Sequence, residues 1–281
     1  MKSVKFALLH YCFWNIVFDS SLTFATIPFI VLPTLSGYPL GILNDFEVST
    51  KSQVQVLVLA YFGICCSLVG IFENRFTHIA GKSFTISLIN KILIYSLNML
   101  TITLGSIYIF DTCPEQDLAL QIVREQLPPN LPYFHESEVF VVSVDYTFVR
   151  SFICVVVVSI VAQCSIFGTL TLSKIYARKG MSNRTRRMQN HLFMLLCIQL
   201  AIPFCALALP GAYVIYTCVT FYHNQAFNNI AVILHSLHGI LSAISMIVIH
   251  SPYRKALISK LGIEKKKIKV PEIVSNPIRT F

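Results

Sequence analysis

Six stretches of this chain stay apolar for 19–28 residues with at most one charge each, and polar breaks separate them. In a helix rising 1.5 Å per residue, about 20 such residues cross a hydrocarbon core of roughly 30 Å. The pattern predicts helical spans over 6–32, 54–72, 92–110, 151–172, 192–219 and 226–249. The last span is not uniformly apolar. Asn228, Asn229, His235, Ser236 and His238 lie along it, and Asp19 lies near the middle of the first. Polar groups at bilayer depth are expected to face other helices or a wet cavity, because lipid offers them no partners. Pro203 and Pro210 within the fifth span predict a kink, since each removes a backbone donor.

The breaks carry their own pattern. Pro33, Gly37, Pro39 and Gly41 mark a loop, and Pro128-Pro129-Asn130-Leu131-Pro132 suggests an ordered turn within the long break 111–147. After the last span, Tyr253, Leu257, Ile258 and Leu261 recur at helical spacing. This predicts a short amphipathic helix against the membrane surface at the start of a basic tail, 255–281, held by anionic lipid. The chain thus divides into a bundle, 1–254, and that tail.

Composition agrees with this reading. Of 281 residues, 55% are hydrophobic and 12% charged, about half the charge of a soluble domain. The fold class expected is an all-α, polytopic helical membrane bundle. A net charge of +9 does not point to nucleic acid here. Nineteen of the 22 Lys and Arg fall at the start, after the second and fourth spans and in the tail, whereas 111–147 holds seven acids and one base. The positive-inside rule then places both termini in the cytoplasm and the acidic break outside. Seven of the nine cysteines lie well inside spans and read as small core residues. Cys113 and Cys218 lie near the outer face and form a candidate disulfide.

Catalytic motifs are not found: the chain has no GxSxG, HExxH or Walker sequence. His235 and His238, three residues apart, give two potential ligands on one helix face, too few for a metal site; hydrogen bonding between helices is the expected use. No cofactor is expected, and no enzyme. Internal repeats of the transporter kind and filter-like loops are also not evident. What remains is a receptor plan. Glu73-Asn74-Arg75 closes the second span. Arg184, Arg186 and Arg187 precede the kinked one, and Pro252-Tyr253-Arg254 follows the last. An acid and a base at a helix end can act as a latch, paired in one state and released in another.

The order of these motifs resembles nematode serpentine chemoreceptors, class H. The resemblance is carried by Phe72-Glu73-Asn74-Arg75, Pro114-Glu115-Gln116, Leu127-Pro128, Leu131-Pro132, Met181-Ser182-Asn183-Arg184-Thr185, Gln189 and Ile198-Gln199 with Ile202-Pro203. Near the end it continues with Asn224-Gln225-Ala226-Phe227-Asn228-Asn229, Ser236-Leu237-His238-Gly239 and His250-Ser251-Pro252-Tyr253-Arg254. It implies a rhodopsin-like, seven-helix receptor of the plasma membrane, typically on a sensory neuron cilium, that binds a small-molecule or peptide ligand and signals to a heterotrimeric G protein. By position, Glu73, Asn74 and Arg75 take the role of the acid-Arg switch, and Asp19 falls where such receptors often keep a polar residue. The family has seven helices against six here. The first predicted span matches the family's second helix, so a lost gene-model start or a truncated product is expected. At Pro129-Asn130 many relatives would carry a cysteine, which leaves the disulfide without that support.

Three readings follow: a chemosensory receptor, a six-span channel or carrier, and a non-functional receptor fragment. For the receptor, the ligand is expected from the 111–147 side, with Tyr61, Phe62, Phe204, Tyr213 and Tyr216 as candidate pocket aromatics. The topology is checkable at the single sequon, Asn183-Arg184-Thr185. On the cytoplasmic side it stays unglycosylated, and a sugar found at Asn183 by mass spectrometry would invert the orientation.

Overall fold

Helices dominate because the apolar runs offer no other way to satisfy the backbone in lipid. A computed structural model describes residues 2–81, 84–127, 139–178, 180–249 and 251–260, with backbone only at 2–5, 84–87, 251–253 and 256. The long helices are α1 (Lys2–Ser20), α3 (Thr50–Ala80), α4 (Phe84–Asp111), α6 (Tyr146–Ala177), α7 (Asn183–Thr220) and α8 (Gln225–Ile249). A four-residue α2 (Ile42–Asp45), α5 (Gln116–Gln126) and α9 (Ser251–Lys260) complete the helices. Among the described residues, α3, α4, α6, α7 and α8 are long and apolar enough to cross a membrane by length and composition. The 19-residue α1, which carries Lys2, Lys5 and Asp19, is not one of these five.

Helix α3 is the axis of the bundle. In its most apolar window 61% of residues are buried, against 28% or less in the other four. Tyr11 and Phe18 of α1 pack with Leu57, Ile64 and Leu68 of α3 and with Leu200 and Leu207 of α7. On its other side, Phe62, Cys66 and Val69 of α3 meet Ile102 of α4 and Val156 and Ile160 of α6. The helix stops at Gly81, whose φ of 68° is the left-handed cap that glycine adopts without a Cβ penalty; its N–H bonds Thr77 O.

The first predicted span is too long. The α-helix ends at Ser20, a wider turn covers Ser21–Ala25, and Thr26 N–H bonds Ser21 O at 2.8 Å. The chain then becomes β1 (Pro28–Val31), antiparallel to β2 (Ser36–Pro39) with Phe29 opposite Tyr38. Pro28 lacks the donor that a continuing helix needs, and the β-branched Ile30 and Val31 suit an extended ribbon. A two-residue β3 (Phe140–Val141) adds to β2.

Part of the acidic break is also folded rather than loop. Helix α5 places Ala119, Val123 and Leu127 one turn apart, and these pack on Val31, Tyr38, Val139 and Val141 in a small separate core. The predicted proline turn at 128–132 lies outside the described residues. So do Leu261 and the rest of the tail, while Leu257 and Ile258 are exposed on α9. This hairpin layer is tied to α8 and its approach. Gln225 Nε2 donates to Ile30 O at 2.9 Å, and His223 Nδ1 donates to Leu32 O at 2.6 Å.

The small core generates a test. Val123 is 1% exposed, so Val123→Asp buries an unpaired carboxylate at a cost on the order of 3 kcal/mol. Limited proteolysis should then cut faster around β1, β2 and α5 while the long helices keep their far-UV circular dichroism. Equal protection of both regions would refute a separate hairpin core.

Candidate functional site

Tyr11, Asn15 and Asp19 follow one another at i, i+4 and i+8, so they share one face of α1. His235, His238, Ser242 and Ser245 do the same on α8. The two faces meet in a polar seam inside the bundle. Ser242 Oγ donates to Tyr11 O–H at 3.1 Å, and His238 Nε2 lies 2.7 Å from Asn15 Oδ1. Asn15 Nδ2 donates to Tyr11 O at 2.8 Å, which fixes the amide with its oxygen toward the histidine. On the other side of the ring, Nδ1 is 2.9 Å from His235 O and 3.2 Å from Asp19 Oδ1. Both ring nitrogens therefore face oxygens. His238 is fully buried.

Gly239 makes this approach possible. A Cβ there would collide with the Asp19 carboxylate. Next to the seam, His235 stands edge-on to Tyr61 and Phe18, with ring centroids 5.7 and 6.2 Å away. Its Nε2 is buried and faces the α7 backbone at Leu207. Asn228 joins the hairpin layer. In the amide orientation that satisfies all its neighbours, it donates to Tyr213 O–H at 2.8 Å and Asn224 O at 3.2 Å and accepts from Leu32 N–H at 3.1 Å. Asn229, expected to face inward, is exposed and accepts from Gln225 Nε2 at 2.9 Å. Position 229 is one residue, or about 100°, around the helix from Asn228, so both cannot face the same neighbour.

At the opposite, basic end, Glu73 and Arg75 turn to different helices, as residues two apart on a helix must. Glu73 is 1% exposed, and Lys91 Nζ of α4 approaches Glu73 Oε2 at 3.8 Å and Asn74 Oδ1 at 2.5 Å. Arg75 Nη2 donates instead to Gln189 Oε1 of α7 at 2.9 Å. Arg184, Arg186 and Arg187, read as loop residues, lie on the first turns of α7, which Ser182 caps by accepting the Thr185 N–H at 3.2 Å. Arg254 Nη1 donates to Val248 O at 2.9 Å, near the end of α8. Pro252 and Tyr253 lie on α9 with their side chains undescribed, and His250 is outside the described residues.

The five candidate pocket aromatics are not brought together. Tyr61 and Phe204 pack on the α1–α3–α7 core, and Phe62 belongs to the core facing α4 and α6. Only Tyr213 and Tyr216 line a concavity, of about 440 Å³, between α7 and α8 near the hairpin end. The candidate disulfide is not formed either. Both cysteines are free: Cys113 points at Val142 O, 3.2 Å away, and Cys218 at Pro33 O, 3.7 Å away. Burial pushes the Cys113 thiol above its ordinary pKa, which disfavours the thiolate that disulfide chemistry needs. Among the described residues, no group of three metal-ligating side chains occurs.

Sequence reasoning flagged Asp19 and His238 but missed Tyr11, Asn15 and Ser242. The four-residue spacing from Tyr11 to Asn15 to Asp19 was the available signal. Lys91 was read only as a topology charge.

A bundle of apolar helices with a polar seam inside and basic residues gathered at one end defines a polytopic membrane protein. The chain matches the model of the family described as serpentine type 7TM GPCR chemoreceptor Srh over residues 1–263, and it belongs to that family. It is similar to serpentine receptor class H-72 of Caenorhabditis elegans, at 24% identity over 291 residues, covering 100% of this chain and 82% of that protein. No solved structure matches it. The family is a receptor family, and the protein is a multi-pass membrane protein.

A double-mutant cycle tests the seam. His238→Phe removes the imidazole that stands between Asn15 and Asp19, and leaving a buried polar group without its partner costs about 1–3 kcal/mol. Asp19→Asn alone should cost less. The pair should be non-additive by about 0.5–3 kcal/mol in thermal stability of the detergent-solubilised protein. Strict additivity would mean that the two side chains do not interact.

Proposed function

We propose that the protein is a chemosensory receptor of the plasma membrane that binds a small ligand and signals through a heterotrimeric G protein. In this reading both termini and the basic end are cytoplasmic, the hairpin layer is outside, and sensory cilia are the site of action. The observation that carries it is the bond from Arg75 on α3 to Gln189 on α7, at 2.9 Å. It bridges the central helix and the proline-bearing one at the end where Arg184, Arg186 and Arg187 also stand. A single hydrogen bond to a charged group is worth about 1.5–3 kcal/mol. That is enough to move a two-state equilibrium tenfold or more, since each 1.4 kcal/mol is a factor of ten. The arrangement suits a restraint that holds α7 against α3 until a ligand favours the other state. Lys91, lodged beside Glu73 and Asn74, keeps that end of α3 anchored to α4 meanwhile.

Basal nucleotide exchange on a co-reconstituted heterotrimeric G protein tests this reading without a known ligand. Gln189→Ala should raise ligand-independent exchange about tenfold by freeing α7. Arg75→Ala, at equal receptor density, frees α7 but removes the side chain that the G protein engages, and should leave exchange at the rate of the G protein alone. Unchanged exchange in both variants would overturn the proposal.

A further inference from the structure

The concavity between α7 and α8 opens sideways. Its rim residues Tyr216, Phe227 and Ile230 are 53%, 49% and 48% exposed, and both helices are long and apolar enough to cross a membrane. Where these helices cross the bilayer, that exposure is to lipid. The volume of about 440 Å³ is within the range of small-molecule sites, roughly 300–1,000 Å³. Pro210 lies in its wall and supplies no N–H to the preceding turn of α7.

At the hairpin end the backbone is tied to α8 and its approach: Leu32 N–H and Leu32 O are held by Asn228 and His223, and Ile30 O by Gln225. Away from the concavity, the rings of Phe18, Tyr61 and His235 stand against one another across α1, α3 and α8.

The polar groups of the concavity sit at one end. Tyr222 O–H accepts from Asn224 Nδ2 at 3.2 Å, which leaves its own proton free to donate. Tyr216 has its ring 6.2 Å from that of Tyr222, and its hydroxyl makes no hydrogen bond among the described residues. From Tyr216 to Leu209, deeper along α7, is about 10 Å, and that stretch is walled by apolar side chains and by Tyr213, whose hydroxyl is engaged by Asn228.

We propose that this concavity binds a membrane-soluble amphiphile, a hydrocarbon chain with a carboxylate or hydroxyl head, taken up laterally from the bilayer. The head accepts from the Tyr216 and Tyr222 hydroxyls, and the chain runs inward past Pro210 to Leu234. As the ligand class of the proposed receptor, this rests on the receptor reading, but binding does not depend on the G protein. Failure of nucleotide exchange and failure of binding are therefore separate results.

The probe is a photoreactive hexadecanoic acid carrying a diazirine on its chain, added to the full chain in phosphatidylcholine nanodiscs. Labelling should saturate, map by mass spectrometry to α7 and α8 around the concavity, and be competed by unlabelled hexadecanoic acid. Ile230→Trp fills the opening from a lipid-facing position where it disturbs no packing, and should lower labelling about tenfold. Tyr216→Phe with Tyr222→Phe keeps the rings, and should weaken competition by the acid more than by hexadecane. Labelling that does not saturate, spreads over all lipid-facing helices and ignores Ile230→Trp would mean an ordinary interfacial aromatic belt and overturn the proposal.

Discussion

A polar side chain in a hydrocarbon solvent has to find its partner within the protein, and the contact of Asp19, Asn15 and His238 shows how this chain meets that demand. The residues lie 223 positions apart at Asn15 and His238, so the seam closes the first described helix onto the last long one. Leaving either half unpartnered at bilayer depth is worse than bringing the helices together. Helix α3 is enclosed by α1, α4 and α6, which accounts for its being the most buried of the long helices. Gly239 follows from the same constraint. Any side chain there would occupy the place of the carboxylate.

How far this was legible in the sequence depends on whether the signal was local. Apolar runs locate the helices because their length matches the bilayer, a property of each segment by itself. The same criterion fails at Phe29–Leu32, where a continuous apolar run is a strand. Hydropathy does not distinguish the two, but Pro28, Pro33 and Pro39 with Gly37 carry the hairpin signal. Helix α5 was hidden by the acids around it, although Ala119, Val123 and Leu127 keep helical spacing. Asp19 and His238 stood out because charge and imidazole are rare in spans. Tyr11 and Ser242 did not, since such residues are unremarkable in a helix until a partner faces them. Partner identity, His238 with Asn15 or Arg75 with Gln189, is tertiary information that a single chain does not print.

The two ends of the bundle are held differently. At the hairpin end, side chains of α8 and its approach bond the hairpin backbone beside a small apolar core. At the basic end, a small apolar cluster of Ile79, Ile175 and Phe193 stands with a buried acid beside Lys91 and the bond from Arg75 to Gln189. Arg184, Arg186 and Arg187 add an unfavourable element, since cations near a helix N-terminus oppose the macrodipole by about 0.3–1 kcal/mol each. The Ser182 cap offsets only part of this. Three such residues suit a surface that meets a negative partner, whether lipid headgroups or an acidic protein face.

Helix α7 connects these ends. It packs most extensively on α8. It carries Pro203 and Pro210 on its buried face, and it touches α3 through Gln189 at one end and through Leu207 O, 3.5 Å from the Tyr61 hydroxyl, near the other. Gln189 and Pro210 are 21 residues apart, about 30 Å along the axis. A helix with two missing backbone donors bends at the prolines rather than along its length. In the proposed receptor, a change of packing at the lateral concavity and a change at the Arg75 bond would be alternative settings of one element. Such coupling would be reciprocal: an occupant of the concavity that prefers one setting would favour that setting at Gln189, and a partner that captures Arg75 would tighten the concavity in return.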